Sequence, residues 1–337
     1  CTVIQAMSFV PLAWWGIRGS AGLVELLAAA SVYWAAGMAG APAWTAWIAT
    51  LVPTRVRTSY FANRNRLGQF GVFVGFVAGG LMLQFGERRG AVLTAFSVVF
   101  TVAALCRLVS TALLVACGEP QPPGRGRPRS AATADGDGAP RRIGATLRGM
   151  SARPSGRLVV FLCCFMFGAH FAGPYFTPYM LEELGFSYHA YLVVFGTSFL
   201  TKAILLPGIG RLASRTGPLG LLALATSAIA PLSLLWLPSA HVGWLVVVQM
   251  VAGACWAAYE LAVSILLLEA TGDEERTGVI TVYNVGLALA TVAGAACGGM
   301  LLRSLGADRT AYATCFAVSF VLRAAALPLL RRVGAAR

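Results

Sequence analysis

The stretch RTSYFANRNRLGQFGVFVGFVAGGLML, residues 57–83, returns as RTGVITVYNVGLALATVAGAACGGMLL, residues 276–302. A shift of 219 positions carries Arg57-Thr58 onto Arg276-Thr277, Asn65 onto Asn284, Gly75 onto Gly294, Gly79-Gly80 onto Gly298-Gly299 and Leu83 onto Leu302, seven identities in 27 positions. Glycine and leucine identities are cheap in so biased a composition, but an aligned Arg-Thr pair with an aligned Asn is not. The stretch predicts two copies of one unit, each a charged loop feeding a glycine-lined apolar helix.

The rest of the chain supplies apolar helices for both copies. Of its 337 residues 58% are hydrophobic and 12% charged, against about 25% charged in soluble domains. Apolar runs near the ~20 residues that cross a bilayer cover 2–17, 21–52, 67–85, 91–115, 158–181, 190–212, 219–237, 242–268, 279–302 and 311–330. They are apolar on every face, which excludes a barrel of alternating strands. The fold class is an all-α membrane bundle of two pseudo-symmetric halves, about ten helices in a four plus six arrangement. A parallel repeat of this kind points to a transporter whose halves are related by an axis along the membrane normal.

Residues 1–117 form the first half, 118–157 a Pro-, Gly- and Arg-rich linker without apolar period, and 158–337 the second half. The sequence starts at Cys1 inside an apolar run. Position 1 corresponds to position 220, about 63 residues into the second copy, so the first half is expected to lack its first two helices.

A net charge of +13 raises the question of a polyanionic partner, and its distribution answers it. With alternating helices, 18 arginines fall on the side of Arg55 and the linker, and five (Arg18, Arg88, Arg89, Arg303, Arg309) fall opposite. This asymmetry sets orientation, placing the linker and C-terminus in the cytoplasm of a cell (inner) membrane protein, with no nucleic-acid partner. The linker arginines and the spans make the lipid bilayer itself a partner. The eight cysteines lie mostly in apolar runs without metal-ligand spacing, and neither a metal nor a cofactor is expected.

Ionisable groups at membrane depth need a reason. Lys202, the only lysine, lies eight residues before Gly210, and Glu260 eight residues before Leu268. At ~1.5 Å per residue both are about 12 Å from the same surface, so an ion pair is expected. It either couples a gradient to transport or fixes helix register. In the run 158–181, His170, Gly173, Pro174, Tyr175, Pro178 and Tyr179 interrupt the helical ladder, either along a substrate path or as a kink with interfacial tyrosines. His170 is a candidate proton carrier if it faces a cavity. Arg107 and Arg323, repeat-related, are expected to snorkel to phosphates. Gly68, Gly71, Gly75 and Gly79 form a ladder suited to close helix approach. Arg57, Asn65, Arg276 and Asn284 mark a repeat-related gate, and Asp273, Glu274 and Glu275 can pair with Arg211 or Arg215.

The segment Gly210-Arg211-Leu212-Ala213-Ser214-Arg215-Thr216-Gly217 resembles the cytoplasmic loop signature of the major facilitator superfamily, between the second and third helices of a half. The resemblance implies a secondary transporter working by alternating access, its cavity lined by the first, second, fourth and fifth helices of each half. In that family an acidic residue locks the inward gate; here the position is Ser214, which can cap a helix but cannot pair with arginine. The reading is transport of a small-molecule solute with a coupling ion, a proton foremost, as symporter or antiporter and not as an enzyme. The alternatives are a non-transporting scaffold or sensor of the same fold and an intramembrane lipid-modifying enzyme.

Overall fold

The structure, a computed structural model, describes residues 1–117, 154–269 and 276–334. Among the described residues the regular structure is helical and no strand occurs. The helices are α1 (Thr2–Arg18), α2 (Leu23–Leu51), α3 (Arg57–Arg88), α4 (Val92–Ala116), α5 (Pro154–Ala172), α6 (Tyr188–Ile229), α7 (Val242–Glu269), α8 (Arg276–Leu305) and α9 (Arg309–Gly334). Helix α6 is two spans joined at Gly217, whose φ of 73° and ψ of 160° suit glycine alone, with Pro218 opening the second span. That makes ten segments among the described residues, the number the apolar runs predict. Helices α2 to α9 are each long and apolar enough to cross a bilayer. Most of the linker and the cluster Asp273, Glu274, Glu275 lie outside the described residues.

Helix starts differ from expectation in an instructive way. The predicted charged loop 53–66 is a short 3-10 turn (Thr54–Val56) followed directly by α3. No glycine or proline stands between Arg57 and Leu67 to break a helix, so the polar residues ride on its first turns. The break after α5 is as expected: a 3-10 turn at Gly173–Tyr175, one helical turn at Phe176–Pro178 and a π turn at Tyr179–Glu183. Pro174 and Pro178 lack the N–H that a continuous ladder needs.

The described chain divides into two compact units. One holds α1, α2, α4 and α3 from Gly75 onward; the other holds α3 up to Val74 and everything from α5 on. In the first unit α1 crosses α4 closely, since a Cβ on Gly16 would lie 2.2 Å from Ser97 Oγ. Phe9 bridges the helices, its ring 5.1 Å from Tyr33 and 6.2 Å from Phe100. In the second unit α5 packs between α8 and α9, where a Cβ on Gly294 would sit 2.4 Å from Phe167 O and one on Gly298 2.0 Å from Phe171 O.

The expected close packing at the α3 ladder is absent. No described atom lies within 4 Å of a Cβ built on Gly68, Gly71, Gly75 or Gly79. For the repeat-related glycines of α8 this role is filled by α5. Large apolar side chains cover the outer faces, Leu113 at 64%, Leu289 at 67% and Met300 at 70% exposure. Such a surface suits lipid, where it costs nothing.

The repeat-related arginines also depart from expectation, because both turn inward. Arg323 is 4% exposed and donates to Ile229 O (3.0 Å), Ser319 Oγ (2.8 Å) and Ser319 O (3.2 Å). Arg107 donates to Gln5 Oε1, and Gln5 donates in turn to Tyr33 O at 3.2 Å. A carbonyl or amide oxygen within reach on a neighbouring helix holds the guanidinium more cheaply than extension to the surface.

Candidate transport site

Helices α6 and α7 place the two charges of the pair. Ser187 caps α6 by accepting from Ala190 N–H at 3.3 Å. The helices run side by side: a Cβ on Gly253 would lie 2.6 Å from Ser198 O, so only glycine permits this approach. Further along the same pair, Lys202 Nζ lies 2.6 Å from Glu260 Oε1. The lysine side chain is 11% exposed and the glutamate 36%. A contact this short between charges drawn out of water is a charge-assisted hydrogen bond as well as an ion pair. Ser264 Oγ donates to Glu260 O at 2.7 Å, saturating the backbone below the carboxylate.

The second carboxylate oxygen is taken from a different helix. Gln69 of α3 donates from Nε2 to Glu260 Oε2 at 3.0 Å. The sequence reading did not single out Gln69, although a polar residue inside the run 67–85 was the available signal. Its surroundings form a seam between α3 and α6. A Cβ on Gly210 would meet Ala62 Cβ at 3.0 Å, and one on Gly196 would meet Phe73 at 3.6 Å. Between these crossings a groove of about 500 Å³ is lined by Asn63, Arg66, Leu67, Phe70, Leu200, Ala203 and Ile204.

The remaining candidates sit elsewhere. His170 Nδ1 lies 3.0 Å from Met166 O, one turn back on its own helix. Tyr175 donates to Ala295 O, which ties the break after α5 to α8. Tyr179 is 2% exposed, its ring 5.3 Å from Tyr312 and 5.2 Å from Phe316 in an aromatic core. Among the described residues no hydrogen bond or ion pair joins these three to Lys202 or Glu260.

The 210–217 segment is helical up to Thr216. Ser214 does not cap a helix; its Oγ donates to Gly210 O at 3.1 Å, one turn back. With the helix continuing past it, Ser214 has no free N–H ahead to accept from, and the turn falls instead on Gly217. Arg211 and Arg215 are exposed. Asn65 accepts from Arg64 at 3.3 Å, whereas Asn284 Nδ2 is buried without a partner, so the two repeat-related amides differ in use. The side chains of Arg57 and Arg276 lie outside the described residues. Tyr259 Oη, on the residue before Glu260, is likewise buried and unpaired.

Ten apolar segments, an internal repeat and an ion pair held between spans define a multi-pass helical membrane protein of the transporter class. The family model of the Major Facilitator Superfamily matches residues 1–240 and 158–336, and the chain belongs to that superfamily. Among solved structures the chain is similar to the E. coli fucose:proton symporter FucP, at 15% identity and a TM-score of 0.60 over 96% of this chain and 81% of that one. A structure of FucP in the outward conformation compares at 16% identity and TM-score 0.60, over 96% and 80% of the two chains. At these identities the likeness is one of fold. No curated protein matches the chain.

Proposed function

We propose that the protein carries a small polar solute across the cell membrane by alternating access, coupled to a proton through Lys202 and Glu260. The linker, the C-terminus and the arginine-rich helix ends face the cytoplasm in this reading, with residues 1–117 and 158–337 as its two halves. The observation that carries it is the 2.6 Å contact between Lys202 and Glu260 inside the bundle. Drawing the Lys202 ammonium out of water costs several kcal/mol, and a pair that only stabilised the fold would be replaced by apolar packing at little loss. A pair that opens on protonation gives that cost a use: a neutral Glu260 no longer holds Lys202, and the helices that carry them are released to move.

The likeness to a fucose:proton symporter makes monosaccharides the first solutes to test. In proteoliposomes holding the purified protein, uptake of labelled solutes from a panel headed by L-fucose is measured with and without an imposed pH gradient. The reading expects at least one solute to accumulate with the gradient and to stop when a protonophore collapses it. Uptake of every accumulated solute at the same rate without a gradient would refute proton coupling.

A further inference from the structure

We infer that Gln69 is a third, positioning member of this site: its amide, reaching from α3, holds Glu260 in the ionised form and ties α3 to α7 while the ion pair stands. This rests on the reading of Lys202 and Glu260 as the proton-responsive pair. Both oxygens of Glu260 face donors, Lys202 Nζ at 2.6 Å and Gln69 Nε2 at 3.0 Å, so a proton cannot join the carboxylate without displacing one of them. Lysine carries donors only and cannot accept from a carboxylic acid. Glutamine can. Turning the terminal amide of Gln69 presents its Oε1 to a proton on Glu260 Oε2, so the first proton enters there and Lys202 loses its counter-charge.

The position of Gln69 gives this switch a mechanical consequence. Gln69 lies between Ala62, against Gly210, and Phe73, against Gly196, on a seam that is otherwise apolar at both crossings. It belongs to the first copy of the repeat, whereas Lys202 and Glu260 belong to the second. The hydrogen bond between Gln69 and Glu260 therefore carries the protonation state of the pair to α3. Among the described residues the groups bonded to Glu260 are Lys202 from α6 and Gln69 from α3, with Tyr259 beside it on α7. Arg66 on α3 lines the adjacent groove, and the Tyr259 ring stacks on Phe165 of α5 at 5.8 Å.

A test needs no knowledge of the solute. The carboxylic-acid carbonyl stretch of the purified full chain in lipid is titrated by infrared difference spectroscopy, and the band lost in Glu260→Gln is assigned to Glu260. A donor favours the charged form of the carboxyl it faces, so Gln69→Leu and Gln69→Lys are expected to move the midpoint in opposite directions, the first toward the acid and the second toward the carboxylate. A purely structural role for Gln69 would not produce shifts of opposite sign. An unmoved midpoint in both variants overturns the inference while leaving the pair intact, and a spectrum without any band assignable to Glu260 overturns the pair reading itself.

A second readout follows the seam. Ala62→Cys with Gly210→Cys, in a background without the eight native cysteines, is expected to lose more cross-linking rate as pH falls than the loss of thiolate alone explains, and the same pair with Gln69→Leu to follow the thiolate fraction only. Cross-linking with the same pH profile in both backgrounds contradicts the proposed tie.

Discussion

Removing the two partners of the ion pair one at a time should cost unequal amounts, and the inequality can be worked from exposure. Glu260→Leu leaves Lys202, 11% exposed, without a counter-charge. A buried charge stranded in this way costs about 3 kcal/mol. Lys202→Met leaves Glu260 36% exposed and still bonded to Gln69. Solvent and the amide carry most of that charge, so the loss is about 1 kcal/mol. The double variant replaces the pair with apolar side chains and should fall within about 1 kcal/mol of the parent. The cycle then gives an interaction of about 4 kcal/mol between the two sites. The assay is reversible unfolding of the purified protein in mixed micelles under rising SDS, followed by helical circular dichroism. Equal losses in the two single variants, or a double variant at the sum of both, would refute the account of how the pair is held.

Three further outcomes follow from packing. Gly298→Ala, whose Cβ would lie 2.0 Å from Phe171 O, should lose about 1–3 kcal/mol in the same assay, while Gly79→Ala, with nothing within 4 Å, should change stability by less than about 0.5 kcal/mol. Gly217→Ala, at φ 73° and ψ 160°, should cost about 1–3 kcal/mol and slow any movement that passes through this joint. Arg323→Lys keeps the charge but cannot reproduce the three donated bonds to Ile229 O, Ser319 Oγ and Ser319 O, and a loss of about 1.5–3 kcal/mol is expected from the unfolding midpoint.

The spans were legible because a bilayer demands length and apolarity, and those survive in composition without any tertiary knowledge. The meeting of Lys202 and Glu260 was legible for a related reason: depth below a surface is counted along one chain, and the two helices run the same way. Gln69 escaped because its helix was counted from Leu67, which put residue 69 at the membrane surface, whereas α3 begins at Arg57 and carries it more than three turns inward. An uncharged amide also announces no cost that demands a partner. The inward turn of Arg323 was hidden for a different cause. Snorkelling and bonding to Ile229 O are equally open to a long side chain, and only the neighbouring helix decides between them. Ser214 can cap a helix by its residue type, but capping belongs to a helix end, and the end lies at Gly217.

Proton movement accompanying solute movement is the most direct measure of what Glu260 does. Proteoliposomes with an internal pH dye are given a solute that the uptake panel identifies, and proton and solute fluxes are recorded together. The account predicts a fixed ratio of protons to solute for the parent chain, and for Glu260→Gln solute exchange between equal pools without proton movement. Proton flux at the parent ratio in Glu260→Gln would contradict it.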